Sequence, residues 1–372
     1  MKTTVYFAII SFIFLFSSCA EDLQFKIQGD TDYSVELLSK YNESELTMVY
    51  SALDSLNQSL IRKNRVSRGF SKLFMVRLAD QAGRRGGQWI GPRAGAAIGS
   101  LGGPGTACVG YLAGDLIGGF LGDVVASAFV DCMLDCHGYT MVAPNAMMFK
   151  ADYGIKVAAF IERAMLDSMY MDQNNNIMPL DFIGNTGDNG GTVSNNPSLM
   201  ISQYALHDSL GYYHNSFMVS VNHNKNTYIL NGKPNIDKLY DDVLLSLMAS
   251  GYDINSFKND PELRHLMIEM IQSFGELGYR GVAEGMSLEQ YVEAQCDYLQ
   301  SNCLLTDEEI SIYKNFDVKV VDACSALSEE DIHEYSTALN DLLSSAEISH
   351  ELRINLAIGA QAAINSALCW NQ

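Results

Sequence analysis

Basic residues are scarce in this chain. Of its 372 residues, 24 are lysine or arginine and 44 are aspartate or glutamate, so the formal net charge at pH 7 is −20. A chain this acidic repels the phosphate backbone of nucleic acids. It is equally unsuited to a broad attraction toward anionic membrane surfaces. We therefore expect no nucleic acid among its partners.

The motifs of common enzyme classes are also missing. The glycine-rich segment has no lysine between positions 72 and 150, so it is not a P-loop. The stretches HEYST (333–337) and HELRI (350–354) begin like a zinc-protease motif but lack its second histidine. No dinucleotide fingerprint fits the glycines. These observations favour a protein without catalytic residues and without a cofactor, although they do not settle the enzyme question.

Sustained alternation of apolar and polar residues, the pattern of a half-buried strand, is lacking as well. The exception is TYIL (227–230), which could form a short strand. Apolar residues at three- and four-residue spacing instead predict helices over 33–78 and 143–172. Helix-start signals occur at Asp260-Pro261, SLEQ (287–290), TDEE (306–309), SEED (328–331) and Ser349. The predicted fold class is mainly α, with five or six packed helices after Pro197.

The first 18 residues have the composition of an export signal. Lys2 provides a basic start, and Val5–Phe16 is an apolar run too short for an ordinary spanning helix. Small residues follow at Ser17 and Ser18. We therefore predict that 1–18 is a secretory signal peptide, which is removed from the mature chain.

The stretch LFSSC, which ends at Cys19, resembles the lipobox of bacterial lipoproteins, with Phe16 where the common pattern has leucine. The acidic residues after the cysteine (AED, 20–22) resemble lipoproteins of Bacteroidota. This resemblance implies lipidation of Cys19 and a membrane-anchored protein of the cell envelope, with the outer membrane expected and its face left open. The alternative is ordinary signal-peptidase cleavage, because Ser18 and Ala20 fit its small-residue rule.

The chain contains eight cysteines. If Cys19 carries lipid, seven remain, and an odd number in an exported protein leaves at least one thiol without an intramolecular partner. Some disulfide pairing is expected among the last four, Cys296, Cys303, Cys324 and Cys369. Their spacing leaves the connectivity open.

Glycine recurs at helical spacing in the segment 83–137. The glycines expected to form a packing face are Gly87, Gly91, Gly95, Gly99, Gly110, Gly114, Gly118 and Gly122. Each costs roughly 1 kcal/mol relative to alanine in a helix interior, so close helix contact must offset them. The GGPG stretch (102–105) between the two runs predicts a turn. We therefore predict an antiparallel glycine-zipper hairpin, with Pro92 kinking or restarting its first arm.

Charged residues mirror each other about that turn. Three arginines at intervals of eight oppose three aspartates at intervals of eight. The predicted cross-helix ion pairs are Arg77–Asp131, Arg85–Asp123 and Arg93–Asp115. Residues equidistant from the turn of a hairpin meet, so these pairs would lie beside the glycine face.

The second arm raises the question of a membrane. Thr106–Val130 is long enough to span a bilayer, but Asp115 and Asp123 within it are costly there unless paired. The sequence favours a hairpin buried against other helices. The alternative is a hairpin that is stored folded and later inserts into a bilayer.

Two stretches offer side chains with coordination or acid–base chemistry. CMLDCH places Cys132 and Cys136 on one helical face with His137 beside them, but no fourth zinc ligand can be identified. Buried thiols or a disulfide are favoured over a metal there. In GYYHN (211–215), His214 is interpreted as a packed histidine that is hydrogen-bonded in the core, rather than as a catalytic one.

The predicted organisation has six parts. They are the signal peptide (1–18), a tether with N-terminal helices (19–82), the hairpin (83–137), a helix (138–183), a polar linker (184–197) and an acidic helical domain (198–372). The favoured function is that of a cell-envelope lipoprotein with a structural or interaction role, anchored by lipid and contacting an unidentified protein partner. The alternative is a membrane-active, antibacterial-type effector whose hairpin inserts into a bilayer.

Overall fold

The computed structural model describes residues 41–61, 72–99, 104–139, 144, parts of 155–163, 210–249 and 254–370. Within the two hairpin arms, side chains are described for 72–91 and for 117–136. The signal peptide, Cys19, the linker 184–197 and the Arg93–Asp115 pair therefore lie outside the described residues or side chains.

The chain is mainly α-helical, as predicted. The helices are α1 (Glu43–Ile61), α2 (Lys72–Gly99), α3 (Pro104–Cys136), α4 (Leu210–His223), α5 (Ile236–Ala249), α6 (Asn255–Asn259), α7 (Pro261–Ala283), α8 (Leu288–Asn302), α9 (Asp307–Ile312), α10 (Val318–Ala326), α11 (Glu329–Ser345) and α12 (His350–Trp370). A 3₁₀ turn (Lys225–Thr227) follows α4, and a π-helical turn (Tyr313–Asp317) joins α9 to α10. Within 210–370, nine helices replace the five or six predicted, because several are short.

The helix-start signals in the sequence act as predicted. The Asp260 side chain accepts hydrogen bonds from the first turn of α7, which has proline at its first position. Capping boxes start α8 at Ser287 and α9 at Thr306, and the Ser328 hydroxyl caps α11. The short strand is also found: β1 (Ile229–Leu230) pairs antiparallel with β2 (Lys233–Pro234). The turn between them is Asn-Gly, and both of its residues have positive φ, as this tight turn requires.

Helices α2 and α3 form the predicted antiparallel glycine-rich hairpin. A Cβ atom at Gly87 would lie 2.0 Å from the carbonyl oxygen of Gly118, and one at Gly122 would lie 1.9 Å from that of Gly83. Gly118 also approaches the backbone of Gly91. The two backbones are therefore in direct contact, which only glycine permits.

The first arm differs from the prediction in where it begins and in its continuity through Pro92. The helix α2 begins at Lys72, eleven residues before Gly83, and is separate from α1. The expected restart at Pro92 is wrong, because α2 continues as one helix to Gly99. Gly87 and Gly91, which precede the proline, both contact Gly118 of α3, and this contact holds the helix next to the hydrogen bond that the proline removes.

The hairpin lies inside a layer of C-terminal helices. Helix α7 packs against both arms, α12, α10 and α8 pack against α2, and α4 and α5 pack against α3. The buried residues of the hairpin and of the helices after residue 210 belong to one hydrophobic core. In α7, a Cβ atom at Gly275 or Gly278 would first meet Phe129 or Val130 of α3.

Between residues 117 and 136, apolar side chains lie on all sides of α3, as expected for a helix enclosed by others. Among the described residues, Ile117–Cys136 is the one helical stretch long and apolar enough to cross a membrane, and 94% of its most apolar window is buried.

The expected disulfide pairing is wrong in the described part of the chain. Cys296, Cys303, Cys324 and Cys369 are buried, and none forms a disulfide within the described residues. Cys296 lies in α8 and Cys303 directly follows that helix, whereas Cys324 lies in α10 and Cys369 in α12. All four pack as small apolar side chains in the core.

We predict that Gly87→Ala lowers the free energy of unfolding by roughly 1–3 kcal/mol, because the new methyl group forces two backbones apart. Gly87→Leu should lower it further, although both residues are better helix formers than glycine. Urea denaturation of the purified chain measures the difference.

The matched control for this prediction is Gly281→Ala in α7. A Cβ there meets the flexible end of Met75 at 2.9 Å, so the variant should be less destabilised than Gly87→Ala. If Gly87→Ala leaves the urea concentration at the unfolding midpoint unchanged or raises it, the glycine contact does not hold the hairpin together.

Candidate functional site: a buried charge network

Helix α2 carries polar side chains along one of its faces, and that face is buried. The residues are Arg77, Asp80, Gln81, Arg84, Arg85 and Gln88, each 8% exposed or less. Their spacing of three and four places them along the same side of the helix. Polar residues in such a pattern usually face solvent, but here α12, α10 and the π-helical turn cover this face of α2.

Two arginines of this face share one carboxylate. Asp317, at the end of the π-helical turn, is fully buried and lies 2.8 Å from Arg84 Nη2 and 2.6 Å from Arg85 Nε. Arg85 Nη2 donates a further hydrogen bond to Asp317 Oδ1 at 3.1 Å, and Arg85 Nη1 donates to Asn355 in α12. Burial alone would lower the pKa of Arg85, but the Asp317 charge outweighs it and raises that pKa.

A second cluster lies beside the first and joins three helices. Asp80 in α2, Asp123 in α3 and His214 in α4 are all buried. His214 Nε2 lies 3.5 Å from Asp123 Oδ1 and 3.7 Å from Asp80 Oδ1. The hydroxyl of Ser366 in α12 donates to the other oxygen of Asp80. We refer to Asp80, Arg84, Arg85, Asp123, His214 and Asp317 together as the buried charge network.

Burial and mutual charge shift the pKa values in the second cluster. Burial lowers the pKa of His214, but Asp123 and Asp80 more than compensate and raise it to about 9. Burial raises the pKa of Asp123 to about 7, against the opposing effect of the His214 charge. Arg84 also faces Asp123 and favours its ionised form.

A small cavity adjoins this cluster. Its walls include Arg84, Gln88, Asp123, His214 and Asn365. Its volume of about 20 Å³ is enough for about one water molecule. The cavity is therefore suited to a water or an ion and too small for an organic substrate.

The predicted Arg85–Asp123 ion pair is wrong, because each residue has another partner. Arg85 turns away from α3 to bind Asp317, while Asp123 faces His214. Asp131 lies 3.0 Å from Lys225, and Arg77 donates to Ser325 in α10, while the Arg77–Asp131 pair stays a prediction. The glycine contact brings the two backbones so close that long side chains emerge at its edges, where they meet other helices instead.

The three side chains of CMLDCH do not converge on a common point. Cys132 is buried, and burial raises its thiol pKa, which disfavours the thiolate that binds metals. The His137 ring stacks on Tyr279 with 3.9 Å between centroids, and its Nδ1 lies 2.8 Å from the carbonyl oxygen of Met133. The structure instead places its group of possible metal ligands at Asp80, Asp123 and His214.

Part of this site is predictable from the sequence. His214 is a packed histidine, as interpreted above, and is 2% exposed. Arg85 and Asp123 were predicted to pair with each other, and each has another partner. Asp80, Arg84 and Asp317 were not predicted, although polar residues at helical spacing between 77 and 88 were a usable signal for the first two.

We predict that Asp317→Asn lowers the free energy of unfolding by about 3–5 kcal/mol, because two buried arginines lose their shared counter-charge while the shape is kept. The control is Glu284→Gln, which removes an exposed ion pair with Arg280. This variant should change the free energy of unfolding by about 0–1 kcal/mol. Urea denaturation of both variants tests the difference, and equal effects would contradict it.

The buried charge network therefore combines two arginines, three aspartates and a histidine drawn from α2, α3, α4 and the π-helical turn. Comparison of the chain with known protein families, with curated proteins and with solved structures gives no match. The chemistry of these side chains has to indicate the role of the site.

Proposed function

We propose that this chain is a non-enzymatic lipoprotein of the cell envelope, tethered through Cys19 and acting through contacts with another protein. The observation that carries the proposal is the N-terminal apolar run that ends in LFSSC. An export signal directly before a cysteine is what lipid attachment requires, and the acidic chain would not be held at an anionic membrane by charge.

The fold supports an interaction role in preference to catalysis. The charged side chains of the buried charge network are used to join helices, and the adjoining cavity has room for about one water. The outer surface carries exposed carboxylates, for example Glu329, Glu330 and Glu334 on α11. A partner with a basic face would complement this surface and the net charge of −20.

Lipid attachment is tested by replacing Cys19. In cells given a labelled fatty acid, the wild-type protein should be labelled and should sediment with membranes. Cys19→Ser should lose both properties, because the thiol that accepts the lipid is gone. Cys136→Ser, which replaces a partly exposed thiol in α3, is the control and should keep both.

An unlabelled wild-type protein would contradict the lipoprotein proposal. Membrane attachment that persists in Cys19→Ser would do so as well. Cleavage two residues later, after Ala20, without lipid, would support processing by ordinary signal peptidase instead.

A membrane-active effector is the second candidate, and one observation favours it. The stretch Ile117–Cys136 has the length and mean hydropathy of a membrane span, and it is stored inside other helices. Insertion would require the enclosing helices to open and the buried charges of Asp123 and Asp131 to be neutralised or paired.

For this second function, we expect the purified mature chain carrying Cys19→Ser to release dye from liposomes, since removal of the lipid leaves the hairpin as the membrane-active part. The heat-unfolded chain serves as a comparison for nonspecific leakage. Intact liposomes at micromolar protein would exclude the effector function and leave the tethered lipoprotein in place.

A further inference from the structure

Three atoms with metal-binding chemistry face one another at the second cluster. Asp80 Oδ1, Asp123 Oδ1 and His214 Nε2 are buried, and none has a hydrogen-bond partner within the described part of the chain. The ligand atoms of this group all lie within 4.8 Å of one another. Burying polar atoms without hydrogen bonds is costly, and here two buried carboxylates face a single histidine. A single cation between them would satisfy all three.

The hydrogen bonds behind His214 orient its ring toward this point. Its Nδ1 lies 2.8 Å from Asn215 Oδ1. The Asn215 amide nitrogen donates to the carbonyl oxygen of Asn365, which fixes the amide with its oxygen toward the histidine. Nδ1 therefore carries the proton in the neutral ring and donates it, so that the lone pair of Nε2 points to the carboxylates. Metal-binding histidines are held by the same kind of outer hydrogen bond.

The distances fit a small ion with nitrogen and oxygen ligands. In a tetrahedral site with bonds of about 2.1 Å, neighbouring ligand atoms are about 3.4 Å apart. His214 Nε2 lies 3.5 Å and 3.7 Å from the two carboxylate oxygens, so small side-chain movements would close the site. The adjoining cavity has the volume of about one water, which could occupy a fourth position.

We propose that Asp80, Asp123 and His214 bind one divalent transition-metal ion, with Zn²⁺ as the preferred ion and water as the fourth ligand. The ion would neutralise two facing carboxylates and would join α4 to both arms of the hairpin. One imidazole and two carboxylates suit Zn²⁺ better than Ca²⁺ or Mg²⁺, which prefer all-oxygen sites.

The experiment uses the purified mature chain, treated with a chelator and then titrated with Zn²⁺, Mn²⁺, Mg²⁺ or Ca²⁺ in a calorimeter. One Zn²⁺ should bind per chain and should raise the melting temperature, since the ion binds the folded state. His214→Gln and Asp123→Asn should abolish stoichiometric binding. Asn215→Leu should weaken it by about 10–100-fold, because it removes the outer hydrogen bond and keeps the volume. Cys136→Ser is the control and should bind as the wild type does.

A second measurement does not depend on the variants folding. Co²⁺ added to the wild-type chain should give the intense visible bands of a tetrahedral site, without the near-ultraviolet band of a cysteine–cobalt bond. A cysteine band, or loss of binding in Cys136→Ser, would move the metal to CMLDCH and overturn the proposal. A folded wild-type chain that binds no Zn²⁺ at millimolar concentration would also overturn it.

Discussion

The contact between the backbones of α2 and α3 is the constraint on which the rest of the structure depends. A Cβ atom at Gly83, Gly87, Gly118 or Gly122 would lie between 1.9 and 2.3 Å from a carbonyl oxygen of the opposite arm. The intrinsic helix propensity lost at these glycines is roughly 1 kcal/mol each. Burial of the apolar side chains around α3 offsets that loss, since each fully buried large side chain contributes roughly 1.5–3 kcal/mol. The hairpin is thin as a result, and helices from the C-terminal half surround it.

This arrangement explains why charged residues lie in the interior. One side of α2 is occupied by α3, and the side chains of the polar face must point elsewhere. The C-terminal helices cover that face, so each charge needs a partner from a distant part of the sequence. Asp317 supplies one for Arg84 and Arg85, and His214 faces Asp80 and Asp123. A buried ion pair adds little net stability compared with an apolar core, but loss of one partner is costly. We infer that the network selects the correct positions of α4, α12 and the π-helical turn on the hairpin.

The two proposed functions require different things of the same hairpin. A tethered interaction protein needs it as a permanent core, and the burial of α3 and the pairing of its charges are consistent with that role. In an inserting effector, the hairpin has to separate from the enclosing helices. This separation exposes the hairpin to solvent or lipid and pulls the buried charges apart. A metal ion held by α2, α3 and α4 would oppose opening, because it joins the enclosing layer to the hairpin. The metal and effector proposals are therefore linked physically, while lipid attachment at Cys19 is independent of both.

The sequence by itself determined the local features. The capping residues Asp260, Ser287, Thr306 and Ser328 set helix starts, and Asn231-Gly232 sets a tight turn, because each acts through its own or adjacent backbone atoms. The glycine spacing and the GGPG stretch (102–105) were enough to predict an antiparallel hairpin, although Pro104 and Gly105 of that stretch already belong to α3. The tertiary structure decided which side chains meet across it. Arg85 and Asp123 are equidistant from the turn, yet each turns to a residue of another helix, because long side chains reach beyond the backbone contact. The cluster of Asp80, Asp123 and His214 was equally out of reach of the sequence, since its members are up to 134 residues apart and only the packing of α4 on the hairpin brings them together.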